Sequence, residues 1–100
     1  MDKYKVKLMT RAARDLDEIY NYIADEFKEI GTAEHMADLL ETAIFGLDEM
    51  PYRGAVRKVG AFENKGYRQL FVKKFTIVYR IDEPKKTVII VTVRYTPSSF

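Results

Sequence analysis

Two β-strands and the turn between them are predicted by residues 75–95, FTIVYRIDEPKKTVIIVTVRY. β-Branched and aromatic side chains, which are enriched in strands, fill residues 75–81 and 87–95. Between them, Pro84 is preset for the corner of a tight turn over residues 82–86. Because residues 87–95 are β-branched almost throughout, we expect a central strand that is buried on both faces.

The preceding residues extend this sheet. Residues 67–72 are a further strand candidate, and Lys73 and Lys74 would make the tight turn that joins it to the next strand. Residues 51–66 are rich in glycine and contain a proline, which indicates a loop. Within this loop we predict one short strand around residues 56–59.

The N-terminal residues predict a strand followed by a helix. Residues 4–9 alternate apolar and basic side chains, a period of two that is typical of a half-buried strand. Thr10 is placed to cap a helix that begins at Arg11. Apolar residues then recur at helical spacing. This stripe consists of Leu16, Ile19, Tyr20, Ile23, Phe27 and Ile30.

A second helix follows after a short connection. Gly31 would end the first helix in a left-handed conformation, and Thr32 would cap the second. The second helix ends by Met50, because Pro51 cannot continue it. Its stripe consists of Met36, Leu39, Leu40, Ala43, Ile44 and Leu47. So short a connection makes the two helices an antiparallel hairpin.

The order of these elements, β-α-α-(β)-β-β-β, predicts an α+β fold. We expect an N-terminal strand and an antiparallel helical hairpin that packs on one face of a mainly antiparallel sheet of three to five strands. The length of 100 residues is that of a single domain, which we assign to residues 1–100.

Composition excludes several kinds of chemistry. The chain has no cysteine, so it has no disulfide and no thiolate site, and its single histidine, His35, argues against a histidine metal cage. No apolar run reaches the roughly 20 residues of a membrane-spanning helix, and we recognise no secretory signal. We expect a cytoplasmic protein without metal, cofactor or membrane partner.

The two halves of the chain carry opposite charge. Residues 1–50 have six basic and twelve acidic side chains, a net charge of −6, whereas residues 51–100 have eleven basic and three acidic ones, a net charge of +8. Such asymmetry suggests a polyanionic partner, either a nucleic acid or an acidic protein segment. The alternative is an ordinary solvated basic surface.

Arginines on strands are the strongest candidates for an anion-binding site. Arg68, Arg80 and Arg94 lie one on each of three consecutive predicted strands. If their guanidinium groups share a sheet face, they could hold phosphates or carboxylates through paired hydrogen bonds. His35 is expected on the solvent side of the second helix, away from this site. The complete predicted binding set is Arg57, Lys58, Arg68, Lys73, Lys74, Arg80 and Arg94.

The chain resembles the RelE/ParE superfamily of toxins from bacterial type II toxin–antitoxin modules. In the helices the resemblance rests on Ala13, Asp15, Leu16, Ile19, Tyr22 and Ile23, and on Leu47, Met50, Pro51 and Gly54. In the sheet it rests on residues 66–70, 75–82 and 91–95. The resemblance implies a small toxin that a cognate antitoxin neutralises by wrapping over the sheet and helices.

Members of this superfamily differ in their target. RelE-like members are ribosome-dependent mRNA endonucleases, whereas ParE-like members inhibit DNA gyrase. The resemblance suggests Arg68, Arg94 and Tyr95 as catalytic candidates of the nuclease type, but Thr76 stands where that type carries an arginine. An ordinary arginine is also a poor base for the 2′-hydroxyl of RNA.

We therefore favour a ParE-like gyrase inhibitor without nuclease activity. The alternative is a RelE-like mRNA endonuclease whose target is ribosome-bound mRNA. A third hypothesis is a nucleic-acid-binding module that is not toxic.

Overall fold

The computed structural model describes residues 3–27, 30–56 and 66–95 of the chain. Its helices are α1 (Thr10–Phe27) and α2 (Ile30–Phe45), and a 3-10 turn, Gly46–Asp48, follows α2. Its strands are β1 (Lys5–Leu8), β2 (Ala55–Val56), β3 (Arg68–Val72), β4 (Phe75–Asp82) and β5 (Thr87–Tyr95). Among the described residues, no helix is both long and apolar enough to cross a membrane.

The five strands form one sheet in the order β1-β5-β4-β3-β2. β1 runs parallel to β5, and the other three pairs are antiparallel. The predicted α+β architecture, with a helical hairpin on a mainly antiparallel sheet, is therefore confirmed. Both predicted turns are also present, and each contains a lysine with positive φ, Lys73 at 56° and Lys86 at 48°.

The core lies between the helical hairpin and one face of the sheet. The hairpin contributes Ile23, Leu40 and Ile44, and the sheet contributes Ile77, Tyr79, Val88, Ile90 and Val93, all at most 6% exposed. The described residues of the predicted apolar stripes lie in this core or pack against it, except Leu39, which is half-buried outside it. Leu47 is also buried, but it lies in the 3-10 turn. The side chains of Phe27 and Ile30 lie outside the described part of the structure.

Asp15 of α1 closes the edge of β5 beyond the end of β1. β1 ends opposite Ile90, so among the described residues no strand pairs with the last residues of β5 on that side. The Asp15 carboxylate accepts a hydrogen bond from the Val93 N–H at 3.1 Å and another from the Thr92 hydroxyl. Both groups are buried by the packing of α1, and the carboxylate satisfies them.

Three predictions about the ends of the helices are wrong. The Ala13 N–H donates to the Met9 carbonyl at 3.1 Å, so α1 already includes Thr10, and Met9 is at the cap position. Gly31 does not end α1, because α1 ends at Phe27 and Gly31 lies in the first turn of α2. Thr32 lies within α2 for the same reason and does not cap it.

The short strand in the loop is present and begins earlier than predicted. β2 covers Ala55–Val56 and pairs with β3, with Val56 opposite Arg68. Most of the predicted strand, together with the rest of that loop, lies outside the described residues.

Candidate functional site

An apolar groove lies where α1, the beginning of α2 and the β3–β4 turn meet. Its volume is about 730 Å³. Ile23 and Phe75 are nearly buried at its base, whereas Tyr22 and Tyr95 on its walls are 59% and 54% exposed. The rings of Phe75 and Tyr95 pack together with their centroids 5.5 Å apart. A concave site with this many accessible apolar side chains is typical of a binding surface.

Positive charge borders the groove at the β3–β4 turn. Lys73 and Lys74 line it there, and both are exposed. Glu18 on α1 is the one carboxylate among the described lining residues. An apolar surface with two lysines at its rim fits a segment that carries apolar anchors beside acidic residues.

Arg68 holds the loop that follows α2. Its Nη1 donates to the Gly54 carbonyl at 2.6 Å, and its guanidinium carbon lies 4.8 Å from the centroid of the Tyr52 ring. The side chain is half-buried at the start of β3, where Val56 of β2 is its neighbour. Arg68 therefore joins β3 to residues 52–54, and only its remaining N–H groups could contact another molecule.

The buried hydroxyl of Tyr79 holds the same loop from within the core. It donates to the Pro51 carbonyl at 2.8 Å and accepts from the Gly54 N–H at 3.0 Å. Burial raises the pKa of Tyr79, although the hydrogen bond from Gly54 partly opposes this. A Cβ on Gly54 would lie 2.5 Å from the Tyr79 hydroxyl oxygen and 2.6 Å from the Gln69 carbonyl oxygen. Only glycine fits this close approach.

Glu83 joins the β4–β5 turn to two distant segments. It accepts hydrogen bonds from the hydroxyl of Tyr4, at 2.8 Å, and from that of Tyr52, and it forms an ion pair with Lys86 at 3.2 Å. The hydrogen bond from Tyr52, followed by those from Tyr4 and Lys86, lowers the pKa of Glu83. The same bond raises the pKa of Tyr52.

The groove, the loop and the sheet all belong to a segment that matches a known family. Residues 6–97 match the model of the ParE toxin of the parDE type II toxin–antitoxin system. This chain belongs to that family. No curated protein matches it.

Solved structures share the fold of this ParE-family chain. A chain of the chromosomal ParDE toxin–antitoxin system from P. aeruginosa has a TM-score of 0.77 and 21% identity, over 94% of this chain and 97% of the other. A RelBE toxin–antitoxin complex from Mycobacterium tuberculosis gives 0.68 and 24%, over 98% and 97%. The isolated E. coli RelE toxin gives 0.52 and 13%, over 96% and 87%.

The register of this ParE-family sheet separates the three strand arginines. Arg68 is opposite Tyr79, so it lies on the face of the sheet that packs on the helices. Arg94 is opposite Thr76, and Arg80 has the same parity as Thr76 on β4, so both lie on the other face. The three guanidinium groups therefore do not form one surface. Lys73 and Lys74 lie at the groove, and Arg57 and Lys58 lie outside the described residues.

The three catalytic candidates are also separated. Tyr95 is opposite Phe75, whereas Arg68 is opposite Tyr79, four residues further along β4. At about 3.3 Å per residue this is a distance of about 13 Å along the strand. Arg94 lies on the opposite face of the sheet. His35 is exposed on α2, and the described residues contain no group of three or more His, Asp or Glu that could hold a metal ion.

Sequence reasoning missed the groove and the Glu83 cluster. Ile19, Ile23 and Met36 were expected to belong to the core, and the structure shows that they also line the groove. Tyr22 falls outside the predicted apolar stripe. A large aromatic side chain on the solvent side of α1 was the feature of the sequence that could have indicated a binding surface there. The Glu83 cluster left no local signal, because Tyr4 and Glu83 are 79 residues apart.

Proposed function

We propose that this chain is a gyrase-directed toxin without nuclease activity, and that an antitoxin neutralises it by binding in the apolar groove. Membership of the ParE toxin family carries the first part of the proposal. The composition of the groove supports the second. The target is DNA gyrase, as the resemblance to ParE-like toxins implies.

The separation of the catalytic candidates supports a toxin that does not cleave RNA. Cleavage requires a base at the 2′-hydroxyl and an acid at the leaving oxygen, both within hydrogen-bonding reach of one phosphate. Arg68 and Tyr95 are too far apart along β4 for this, and Arg94 is on the other face. Thr76, in place of the arginine of the nuclease type, is only 2% exposed. Arg68 is also already bonded to the Gly54 carbonyl.

The groove supports an antitoxin segment as its occupant. Ile19, Ile23 and Phe75 offer an apolar surface, and burying it would drive association. Lys73 and Lys74 would attract the acidic residues of the segment and set its direction. We expect apolar side chains at helical or strand spacing in this segment, with carboxylates at the end that meets the β3–β4 turn.

Three assays on the full chain test the target, one in growing cells and two with the purified protein. The chain is expressed from a tight promoter to measure growth arrest, added to gyrase with relaxed plasmid to measure supercoiling, and added to a translating extract to measure mRNA cleavage. We expect growth arrest and loss of supercoiling with intact mRNA. Cleaved mRNA with normal supercoiling would establish the RelE-like alternative instead. No growth arrest, with normal supercoiling and intact mRNA, would favour the non-toxic alternative.

Charge reversal at the rim tests the groove. The double variant Lys73→Glu, Lys74→Glu is compared with Arg11→Glu, Arg14→Glu, which changes the net charge equally on an exposed part of α1. The cognate antitoxin is co-expressed with each. We expect the rim variant to arrest growth without being rescued, whereas the control is rescued like the wild type. Equal rescue of both variants would place the antitoxin elsewhere.

A further inference from the structure

The face of the sheet that turns away from the helices carries a second basic patch, on β1 and β4. Val6 and Leu8 of β1 pack against the core, so the alternating Lys5 and Lys7 point to the opposite face, and both are exposed. Lys7 is beside Ile89 of β5, and Ile89 is opposite Arg80 of β4. The register thus aligns Lys7 and Arg80 in one row across three strands.

The spacing of the three cations follows from the geometry of the sheet. Neighbouring strands lie about 4.8 Å apart, so the Cα atoms of Lys7 and Arg80 are about 10 Å apart. Lys5 and Lys7 are two residues apart on one strand, which separates them by about 6.6 Å. Neither lysine, nor Arg80, forms an ion pair within the described part of the chain.

Acidic groups nearby are engaged in the β4–β5 turn. Asp82 is opposite Thr87, which lies beside Lys5, so its carboxylate is the closest acid in the register. It accepts a hydrogen bond from the Lys85 N–H at 3.3 Å. Glu83 is bonded to Tyr4, Tyr52 and Lys86. Asp82 keeps its charge in this hydrogen bond, so the three cations Lys5, Lys7 and Arg80 outnumber the one carboxylate beside them and the patch has a net positive charge.

Protection of an edge strand does not account for this patch. Lysines on an edge strand prevent pairing with other chains, and β1 is an edge strand. Arg80, however, is on β4, the third strand from that edge, where no free edge requires protection. Edge protection therefore does not explain why Arg80 is exposed beside two lysines that form no ion pair with any described residue.

We propose that Lys5, Lys7 and Arg80 form a contact site for the phosphodiester backbone of a nucleic acid, without sequence preference. Three cations aligned across neighbouring strands suit a row of phosphates, because neutralising the phosphates releases their condensed counterions. An acidic protein segment would also need apolar anchors, and half-buried Ile89 is the one apolar side chain between these cations. This site is separate from the groove and does not depend on which target the toxin has.

The acidic helices orient the molecule at this site. Asp17, Glu18, Glu34, Asp38 and Glu41 are exposed on α1 and α2, which pack on the other face of the sheet. A polyanion repels the acidic surface of the helices and attracts the basic patch. The chain therefore binds a duplex with the face of β1 and β4 that carries the patch turned toward the DNA. The patch combines two lysines from the acidic half of the sequence with an arginine from the basic half. The net charge of each half therefore does not reveal it.

Fluorescence anisotropy with a labelled 20-base-pair DNA duplex of mixed sequence tests the proposal. The triple variant Lys5→Gln, Lys7→Gln, Arg80→Gln is compared with Arg11→Gln, Arg14→Gln, Arg53→Gln, which removes the same charge from exposed positions on or beside the helices. We expect the patch variant to lose at least about 10-fold in affinity near 100 mM salt, and its log–log salt slope to fall by about 2–3, since each phosphate contact contributes about 0.9. The control should lose much less affinity and keep most of the slope.

Three outcomes would overturn this assignment. The first is no duplex binding by the wild type at 50 mM salt, and the second is an equal loss of affinity in both variants. The third is a patch variant that binds the duplex normally but loses binding to polyglutamate, which would make the site one for acidic proteins. Circular dichroism melts of both variants verify that the fold is retained.

Discussion

Replacing Tyr79 with phenylalanine removes a single hydroxyl group, and we expect this to destabilise the protein strongly. The ring stays in place, so no cavity forms, but the Gly54 N–H and the Pro51 carbonyl lose their buried partner. A net hydrogen bond contributes about 1 kcal/mol, and an unsatisfied buried polar group costs about 1–3 kcal/mol. We therefore expect the free energy of unfolding to fall by about 2–3 kcal/mol, and Tm to fall by about 10–20 °C for a domain of this size.

Urea unfolding followed by circular dichroism measures this change. The control is Tyr22→Phe, because the Tyr22 side chain is 59% exposed and loses only a solvated hydroxyl. Its free energy of unfolding should stay within about 0.5 kcal/mol of the wild type. An unchanged m-value would show that only stability has changed. If Tyr79→Phe also stays within that limit, the Tyr79 hydroxyl does not hold the loop.

Two further perturbations test the core and the Glu83 cluster. Leu40 is 1% exposed at the interface of α2 with the sheet. Leu40→Ala should therefore lower the free energy of unfolding by about 2–5 kcal/mol in the same urea assay. A loss below about 1 kcal/mol would contradict its position in the core. The pKa of Glu83 is lowered in the folded state, so its contribution to stability is complete above the usual value of 4.5 and is lost as the pH falls through the folded pKa. Glu83→Gln should therefore reduce Tm at pH 7, and its Tm should decline less steeply on acidification than that of the wild type. The exposed control Glu41→Gln should keep the steeper wild-type decline. If the two variants show the same dependence of Tm on pH, Glu83 does not have this role.

The strands were predictable because their signals are local. Residues 75–95 contain the β-branched side chains, the proline and the change of pattern that define β4, the turn and β5. The boundary between the helices was not predictable, because Gly31 is compatible both with the end of one helix and with the first turn of the next. The choice depends on how the hairpin packs, and the sequence pattern does not contain that information.

The faces of the arginines could not be read from the sequence. Alternation gives the relative orientation of neighbours on one strand, but the relation between strands depends on register. Here the register of β4 and β5 shifts between Val78 and Tyr79, where β5 contains one additional residue. Arg68 on the next strand lies opposite Tyr79, and its guanidinium enters the loop contact on the helix side. The presence of one arginine on each strand therefore does not predict which face of the sheet each arginine occupies.

The basic side chains of the sheet and its turns therefore lie in three different environments. Arg68 is bound to the loop, and Lys86 is paired with Glu83, so these two cations stabilise the fold itself. Lys73 and Lys74 stay exposed beside an apolar groove, where charge can direct a protein segment. Arg80 joins Lys5 and Lys7 on the far side of the sheet, away from this groove. Because the sheet separates the last two groups, charge changes at the groove should alter antitoxin rescue without altering duplex binding, and charge changes at the patch should do the reverse.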